Sequence, residues 1–285
     1  MLREADLSDI KRYGETFYQL GLNPLTSGYP AYFDGTKTKD DFEKVLMRRL
    51  ENENSRLVIA EFKGQVEGIV GYFYLPDDRY LQVDLLNLSY HADIHLTELV
   101  EHLESHFKDF QILFGIDARN ATYQSVLKNM GWIAEAPQVI NLLEEPFIRC
   151  EPRAVKSNII RVSHSNQLQF QSLFPQDNPD NVYWTPERLI EELEHWVIYL
   201  FADKGAIWAR PFGDRQMEIY GYVIAEKMAN DSQNILRELL YTLIEGAHQS
   251  GIRQILFFSD EKEYELLRSL GFKERGTYLC YSKTL

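Results

Sequence analysis

The chain has 285 residues, of which 45% are hydrophobic and 13% aromatic. That content fills one large core or two ordinary ones and argues against general disorder. A net charge of −13 and a pI of about 5.1 argue against non-specific binding to nucleic acid or anionic membrane, which needs clustered Lys and Arg. Two cysteines, Cys150 and Cys280, are too few for a disulfide framework or metal cluster. No apolar run approaches a membrane span, and the N-terminal MLREADLSDIKRYG has no apolar signal core. The expected setting is therefore cytoplasmic, with no nucleic-acid or membrane partner.

In chain order, Leu2–Ala5 reads as a strand and Ser8 as the cap of a helix running to about Leu20. Gly21–Thr38 is rich in turn formers, with Tyr29, Tyr32 and Phe33 among them; such a loop either lines a pocket or packs beneath itself. Asp40 or Asp41 caps a helix to Leu50. Strands are predicted at Arg56–Phe62, Val66–Leu75 and Tyr80–Leu88, separated by Lys63-Gly64 and Pro76-Asp77-Asp78. A helix over about Ile94–Phe107, a strand from Gln111, a further helix and a strand pair around Ile133–Leu143 follow.

Beyond a linker at Glu144–Ser157 the order recurs. Ile159–Val162 is a strand, Asn166–Phe174 a short helix, and Thr185-Pro186-Glu187 a helix start with Thr as N-cap and Pro in the first turn. Strands Trp196–Ala202, Ala206–Pro211 and Gln216–Glu226 precede a helix at Ser232–Gln249, and Thr277–Lys283 is the last strand. The recurrence is visible in the residues themselves. QILF stands at Gln111–Phe114 and at Gln254–Phe257, an offset of 254 − 111 = 143, and each copy runs through an amphipathic helix to a Gly-aromatic pair, Gly131-Trp132 and Gly271-Phe272. Glycine there relieves the left-handed residue that ends a helix. Two copies of one domain are predicted, residues 1–148 and 157–285, with 149–156 between them.

The element order, with IDARNATYQSVLKNMGW in the first copy and Asp260 through Leu270-Gly271-Phe272 in the second, resembles the GNAT (GCN5-related) N-acetyltransferase superfamily. The resemblance covers both halves. It implies an α+β (mixed α/β) fold of two tandem GNAT-like domains, each a mostly antiparallel mixed sheet flanked by helices. It also implies acetyl-CoA or another acyl-CoA as co-substrate, a small-molecule or peptide amine as acceptor, and no metal. The pantetheine arm would lie where the fourth and fifth strands of a half splay apart, the amine would attack the thioester directly, and a backbone N–H would stabilise the oxyanion.

In that family the diphosphate rests on Gln/Arg-x-x-Gly-x-Gly/Ala at a helix N-terminus, where glycines admit the phosphates and the helix end carries about half a positive charge. Here those positions are His91, Ile94 and Leu96 in the first half and Asp231, Asn234 and Leu236 in the second. Leu96 and Leu236 lie on the apolar faces of their helices and read as core residues. Many members also place a Tyr four residues before the Gly of the Gly-aromatic pair; here Leu127 and Leu267 stand there.

The resemblance makes the first half the expected cofactor site, with Asn87, Leu88, His91, Ile94, Leu96 and Asn120 as its residues. Asn120 matches the family's pantetheine-binding Asn, although Asn is equally a good helix cap. Asp84, a charge within an apolar strand, is the candidate base for the acceptor amine, against a solvated strand face, and Glu218 is its second-half analogue. His91, His95, His102 and His106 fall on one stripe, which reads as a solvated helix face rather than a metal site. Trp184, Trp196 and Trp208 read as core aromatics and both cysteines as inert. The expected function is N-acyl transfer from acyl-CoA to an amine. The alternative is a catalytically silent binding or scaffold protein that has lost the phosphate cradle.

Overall fold

The computed structural model describes residues 1–29, 38–144, 158–174, 184–212 and 215–285. Pro30, Tyr32, Phe33 and Gly35 of the turn-rich segment, Cys150 and the linker 149–156 lie outside them. The chain forms two compact units, Met1–Val139 with Gly276–Leu285, and Ile140–Arg275. The division differs from the boundaries suggested by the repeat, because each unit's sheet is completed by a strand remote in sequence. The C-terminal Tyr281 is fully buried in the first unit's core, while Leu143 packs in the second unit's.

The first unit runs β1 (Leu2–Glu4), α1 (Leu7–Leu22), α2 (Lys39–Glu51), β2 (Ser55–Phe62), β3 (Gln65–Leu75), β4 (Tyr80–Leu88), α3 (Ala92–His106), β5 (Gln111–Asp117), α4 (Ala121–Asn129) and β6 (Ile133–Ala134). Its sheet order is β1-β2-β3-β4-β5, continued by the C-terminal strand through the register Tyr278↔Asp117 to Thr284↔Gln111. All of these pairings are antiparallel except β4 with β5, where α3 carries the chain across and makes the pair parallel. On one face Ile10, Phe17, Phe42 and Leu46 of α1 and α2 pack on Leu57, Ile59 and Ile69. On the other, Leu96, Leu99 and Leu103 of α3 and Leu127 of α4 pack on Val70, Leu81 and Phe114.

The second unit begins with the end of β7 (Gln138–Glu144) and continues through β8 (Ile159–Arg161), α5 (Gln167–Gln171), α6 (Pro186–Glu191), β9 (Val197–Phe201), β10 (Gly205–Phe212), β11 (Gln216–Ile224), α7 (Ser232–Gln249), β12 (Gln254–Ser259) and α8 (Tyr264–Ser269). The last strand, β13 (Lys273–Thr284), belongs to the first unit from Gly276 on. The second sheet has the order β7-β12-β11-β10-β9-β8, with β11 and β12 parallel. The two halves are thus α+β units of one topology. Among the described residues no helix is long and apolar enough to cross a membrane.

Helix ends follow local chemistry with two shifts from expectation. Asp6, not Ser8, caps α1, because its carboxylate accepts the N–H groups of Ser8 and Asp9 while Asp9 reaches back to the Asp6 N–H. Thr38 caps α2 ahead of Asp40 and Asp41, which instead supply negative charge to its first turn. The paired glycines behave as predicted: Gly131 and Gly271 have φ of 79° and 93°, and Trp132 and Phe272 each donate back to a helix carbonyl, of Leu127 and Leu267.

Two outcomes follow from this packing. Tyr281 is fully buried and its hydroxyl has no hydrogen-bond partner among the described residues, so Tyr281→Ala removes packing and is expected to destabilise the first unit by about 3–5 kcal/mol in urea unfolding. Asp9 is gripped by both terminal nitrogens of Arg3 at 2.7 Å, which holds its carboxyl below the ordinary range. A depressed carboxyl contributes stability above the unfolded value and loses it as pH falls through the folded one. Asp9→Asn should therefore lower the melting temperature at neutral pH and reduce the further loss on acidification below about pH 4.

Candidate functional site

The two parallel strand pairs part at the same place in each unit. In the first, β4 and β5 stay in register only from Tyr80↔Gln111 to Val83↔Phe114. The next residue, Asp84, is skipped in the β3–β4 register, where Gly71 faces Leu85 and Tyr72 faces Val83. In the second, β11 and β12 pair from Gln216↔Gln254 to Ile219↔Phe257, and Tyr220 is skipped against β10, where Trp208 faces Gly221 and Ala209 faces Ile219. An extra residue bends its strand and ends pairing locally. A wedge opens beyond Asp84 in one unit and beyond Tyr220 in the other.

The first wedge is filled by the chain itself. Thr26, Ser27 and Gly28, just after α1, lie antiparallel to β4, with Ser27 opposite Asn87. The Gly28 N–H donates to Leu86 O (2.7 Å), Leu88 N–H donates to Thr26 O (2.8 Å), and on the far side Asp117 N–H donates to Gly28 O (2.6 Å). The approach is close: a Cβ on Gly28 would stand 3.0 Å from Leu86 Cβ and 3.2 Å from Gly115 O, so those neighbours would have to give by a few tenths of an ångström. Tyr123, fully buried, adds its hydroxyl to Thr26 O (2.9 Å) and accepts Leu88 N–H (3.2 Å). Burial raises its phenol well above the usual value. Along this strap, Leu85 to Leu88 are all buried, Leu85 in the cluster with α1 and α2 and Leu86 and Leu88 in the cluster with α3 and α4.

The candidate residues of the first half are placed around the same strap. Asn120 caps α4 through Oδ1 to Tyr123 N–H (3.1 Å), and its Nδ2 donates to Leu25 O (3.1 Å) and Ser27 O (3.4 Å). It holds protein backbone. Asn87 is buried and donates Nδ2 to Phe17 O (3.3 Å). Leu88 and Leu96 are core residues, while Ile94 is exposed. His91 ends the loop before α3 in a left-handed conformation, φ 53°, and its ring stacks on Phe62.

Glu67, the residue skipped in the β2–β3 register, is buried beside the first turns of α3. It meets His91 Nδ1 at 3.1 Å and His95 Nε2 at 3.0 Å. A carboxylate therefore already occupies the neighbourhood where a helix N-terminus would hold phosphate. His95 corrects the expectation of a solvated histidine stripe: it is fully buried, whereas His102 and His106 are exposed, their rings tilted against each other at 4.2 Å. Asp84 lies in a cavity of about 290 Å³ lined also by Arg48, Arg49 and Phe73. Both of its oxygens are held by Arg49, at 2.7 and 2.6 Å, so the fork that fixes it also occupies its proton-accepting positions.

The second wedge is different. Tyr220 to Ile224 all retain partial exposure, unlike the buried Leu85–Leu88. With an offset of 220 − 84 = 136 along these strands, Tyr222 and Ile224 correspond to Leu86 and Leu88. The Tyr222 phenol donates to the buried Glu263, and burial followed by this carboxylate raises its pKa. Asp231 precedes α7 and receives Asn234 Nδ2 at 2.7 Å; Leu236 is a core residue. Glu218 sits two residues before the skipped position, which Tyr220 holds.

Trp196 and Trp208 are buried and Trp184 half-buried, with Trp184 and Trp196 edge to face at 4.6 Å and Arg210 over both rings. Cys280 is buried, and burial pushes its thiol up to about 12, as an inert cysteine requires. The sequence did not single out Ser27, Gly28, Glu67, Tyr222 or Glu263. The Gly28-containing turn and the paired positions across the repeat were the available signals.

No protein-family model matches the chain, and no curated protein matches it. Solved structures do. A GCN5-related N-acetyltransferase from Sphaerobacter thermophilus superposes with a TM-score of 0.65 at 12% identity, covering 99% of this chain and 95% of that one. A putative acetyltransferase from Pyrococcus horikoshii gives 0.57 at 14% identity, covering 100% and 89%. A tandem GNAT protein from the clavulanic acid biosynthesis pathway gives 0.58 at 11% identity, covering 99% and 98%. The chain thus has the tandem GNAT fold.

Asn120→Ala is expected to cost about 1–2 kcal/mol for the lost cap and to loosen the strap. Amide hydrogen exchange should then quicken at Gly28 and Asp117 while β2 is unchanged. Equal protection in the variant would show that the strap does not depend on Asn120.

Proposed function

We propose that the chain is an N-acyltransferase whose acyl-CoA site is the wedge of the second unit, the first unit serving as a self-filled structural partner. The observation carrying this reading is the contrast between the buried Leu85–Leu88, whose strand edge is hydrogen-bonded by Thr26–Gly28, and the partly exposed Tyr220–Ile224. A pantetheine arm needs an open strand edge for its amides, and the first unit's edge is already hydrogen-bonded. In the second unit the arm would run along Tyr222 and Ile224. An acceptor amine would attack the thioester carbonyl near Tyr220, forming the C–N bond and expelling the CoA thiolate, while the amine loses a proton. A backbone N–H at the bend would face the developing oxyanion. The fold shared with acetyltransferases supports the reaction class; the acceptor is an amine, and the setting is cytoplasmic.

One set of residues favours a second reading, a binding protein without acyl transfer. Neither wedge is followed by a glycine cradle, and Asp231 places a carboxylate before α7, where a diphosphate would meet repulsion rather than the helix's positive end. Each lost backbone bond to phosphate forfeits roughly 1.5–3 kcal/mol, or about one to two orders of magnitude in affinity.

Calorimetric titration with CoA and acetyl-CoA separates the two readings. Weak binding is expected, with slowed amide exchange at Tyr222 and Ile224 and none at Leu86 and Leu88. Ligand at about a hundred times its dissociation constant stabilises a fold by roughly 2.7 kcal/mol, which for units of this size raises the melting temperature by roughly 5–11 °C. At millimolar acetyl-CoA a smaller shift is expected. No shift at any concentration would leave the binding protein as the reading, and protection at Leu86 and Leu88 would return the site to the first unit.

A further inference from the structure

Glu263 is 1% exposed, yet one of its carboxylate oxygens has no hydrogen-bond partner among the described residues. Its other oxygen takes the Tyr222 phenol and stands 3.6 Å from Lys262 Nζ. A buried carboxylate oxygen left unsatisfied is costly, and such a group points to a partner that the protein does not itself supply.

The first unit shows what kind of partner. Counting back eight residues from each helix-ending glycine, 131 − 8 = 123 and 271 − 8 = 263, pairs Tyr123 with Glu263. Counting back eleven pairs Asn120 with Asp260. In the first wedge both side chains are donors, and both donate to carbonyls of the strap: Tyr123 to Thr26 O, Asn120 to Leu25 O and Ser27 O. In the second wedge both positions carry carboxylates, which only accept. Asp260 is met by Lys262 at 3.0 Å; the inner oxygen of Glu263 is not met. The polarity of the wedge is inverted between the units. A ligand of the second wedge must therefore present a donor where the strap presents a carbonyl.

We infer that Glu263, positioned by the Tyr222 hydroxyl, is a ligand-recognition residue that accepts an N–H from an extended ligand lying in the second unit's wedge. The N–H belongs either to an amide, as in a pantetheine arm, or to an alkylammonium group. The inference rests on the second wedge being the ligand site, as proposed above, but not on the ligand being acyl-CoA.

The test is titration of the full chain and of Glu263→Gln with pantetheine, with CoA and with n-propylamine at neutral pH. Glu263→Gln preserves shape and removes the charge, so the probe that binds the parent is expected to bind it about ten- to a hundredfold more weakly. The unliganded variant should melt no lower than the parent, because a costly buried charge has been removed. Tyr222→Phe serves as the second variant and should weaken the same probe by a smaller factor.

Binding of pantetheine and CoA with this loss supports both the inference and acyl-CoA use. Binding of n-propylamine alone with this loss supports the inference and overturns acyl-CoA use. Unchanged affinity in Glu263→Gln, a lower melting temperature as its sole effect, or no binding of any probe to the parent overturns the inference.

Discussion

One backbone irregularity governs what each half of this protein can hold. A single extra residue, Asp84 on β4 and Tyr220 on β11, ends the parallel pairing and leaves two strand edges with unspent hydrogen-bonding groups. Backbone N–H and C=O groups inside a protein must be paired, so the wedge demands an occupant of peptide-like polarity or access to water. In the first unit the demand is met from within, by Thr26–Gly28 bonding to Leu86, Leu88 and Asp117. The hydrogen bonds of Asn120 and of the Tyr123 hydroxyl are committed to that occupant. In the second unit the edge keeps partial exposure, and the polar groups around it are arranged differently.

The surroundings of each wedge are equally physical in origin. Arg49 spans from α2 to Asp84 with two short bonds, and a bidentate fork of this kind neutralises the charge that the strand bend brings toward the α2 face. Glu67 arises from a second irregularity, between β2 and β3, and is kept in the interior by His91 and His95. Negative charge near the start of α3 is thereby supplied internally. The same rule that makes helix N-termini receptive to phosphate makes a resident carboxylate comfortable there and a visiting diphosphate less so.

Much of the fold was legible from periodicity and repetition. The QILF tetrapeptides and the Gly-aromatic endings locate β5 with α4 and β12 with α8, since a left-handed helix end leaves a strong mark in sequence. Leu96 and Leu236 were readable as core from helical spacing alone, and both are buried. What periodicity could not show was contact between distant segments. His95 lies on the border of its helix's apolar face, and only the fold reveals Glu67 beneath it. The filling of the first wedge depends on Gly28 meeting β4 some sixty residues later in the chain, at Leu86. A repeat likewise does not tell which sheet a closing strand completes: Gly276–Leu285 belongs to the first unit and Ile140–Glu144 to the second.

The divergence of the two copies is concentrated where a ligand would be felt. Their cores remain parallel: Leu127 and Leu267 are both fully buried, and α3 and α7 each present an apolar face to the sheet of their own unit. At the wedge, by contrast, Tyr123 donates to a carbonyl, and one Glu263 oxygen has no hydrogen-bond partner among the described residues. Drift in an unused surface scatters substitutions between chemically indifferent residues. A donor pair becoming a carboxylate pair, at two positions one helical turn apart, changes the sign of the hydrogen bonds on offer while the fold stays intact. Burial makes that change expensive, and Glu263 carries the expense with one oxygen unmatched. A partner that donates there would recover it, which ties the chemistry of whatever enters the second wedge to the polarity of a single side chain.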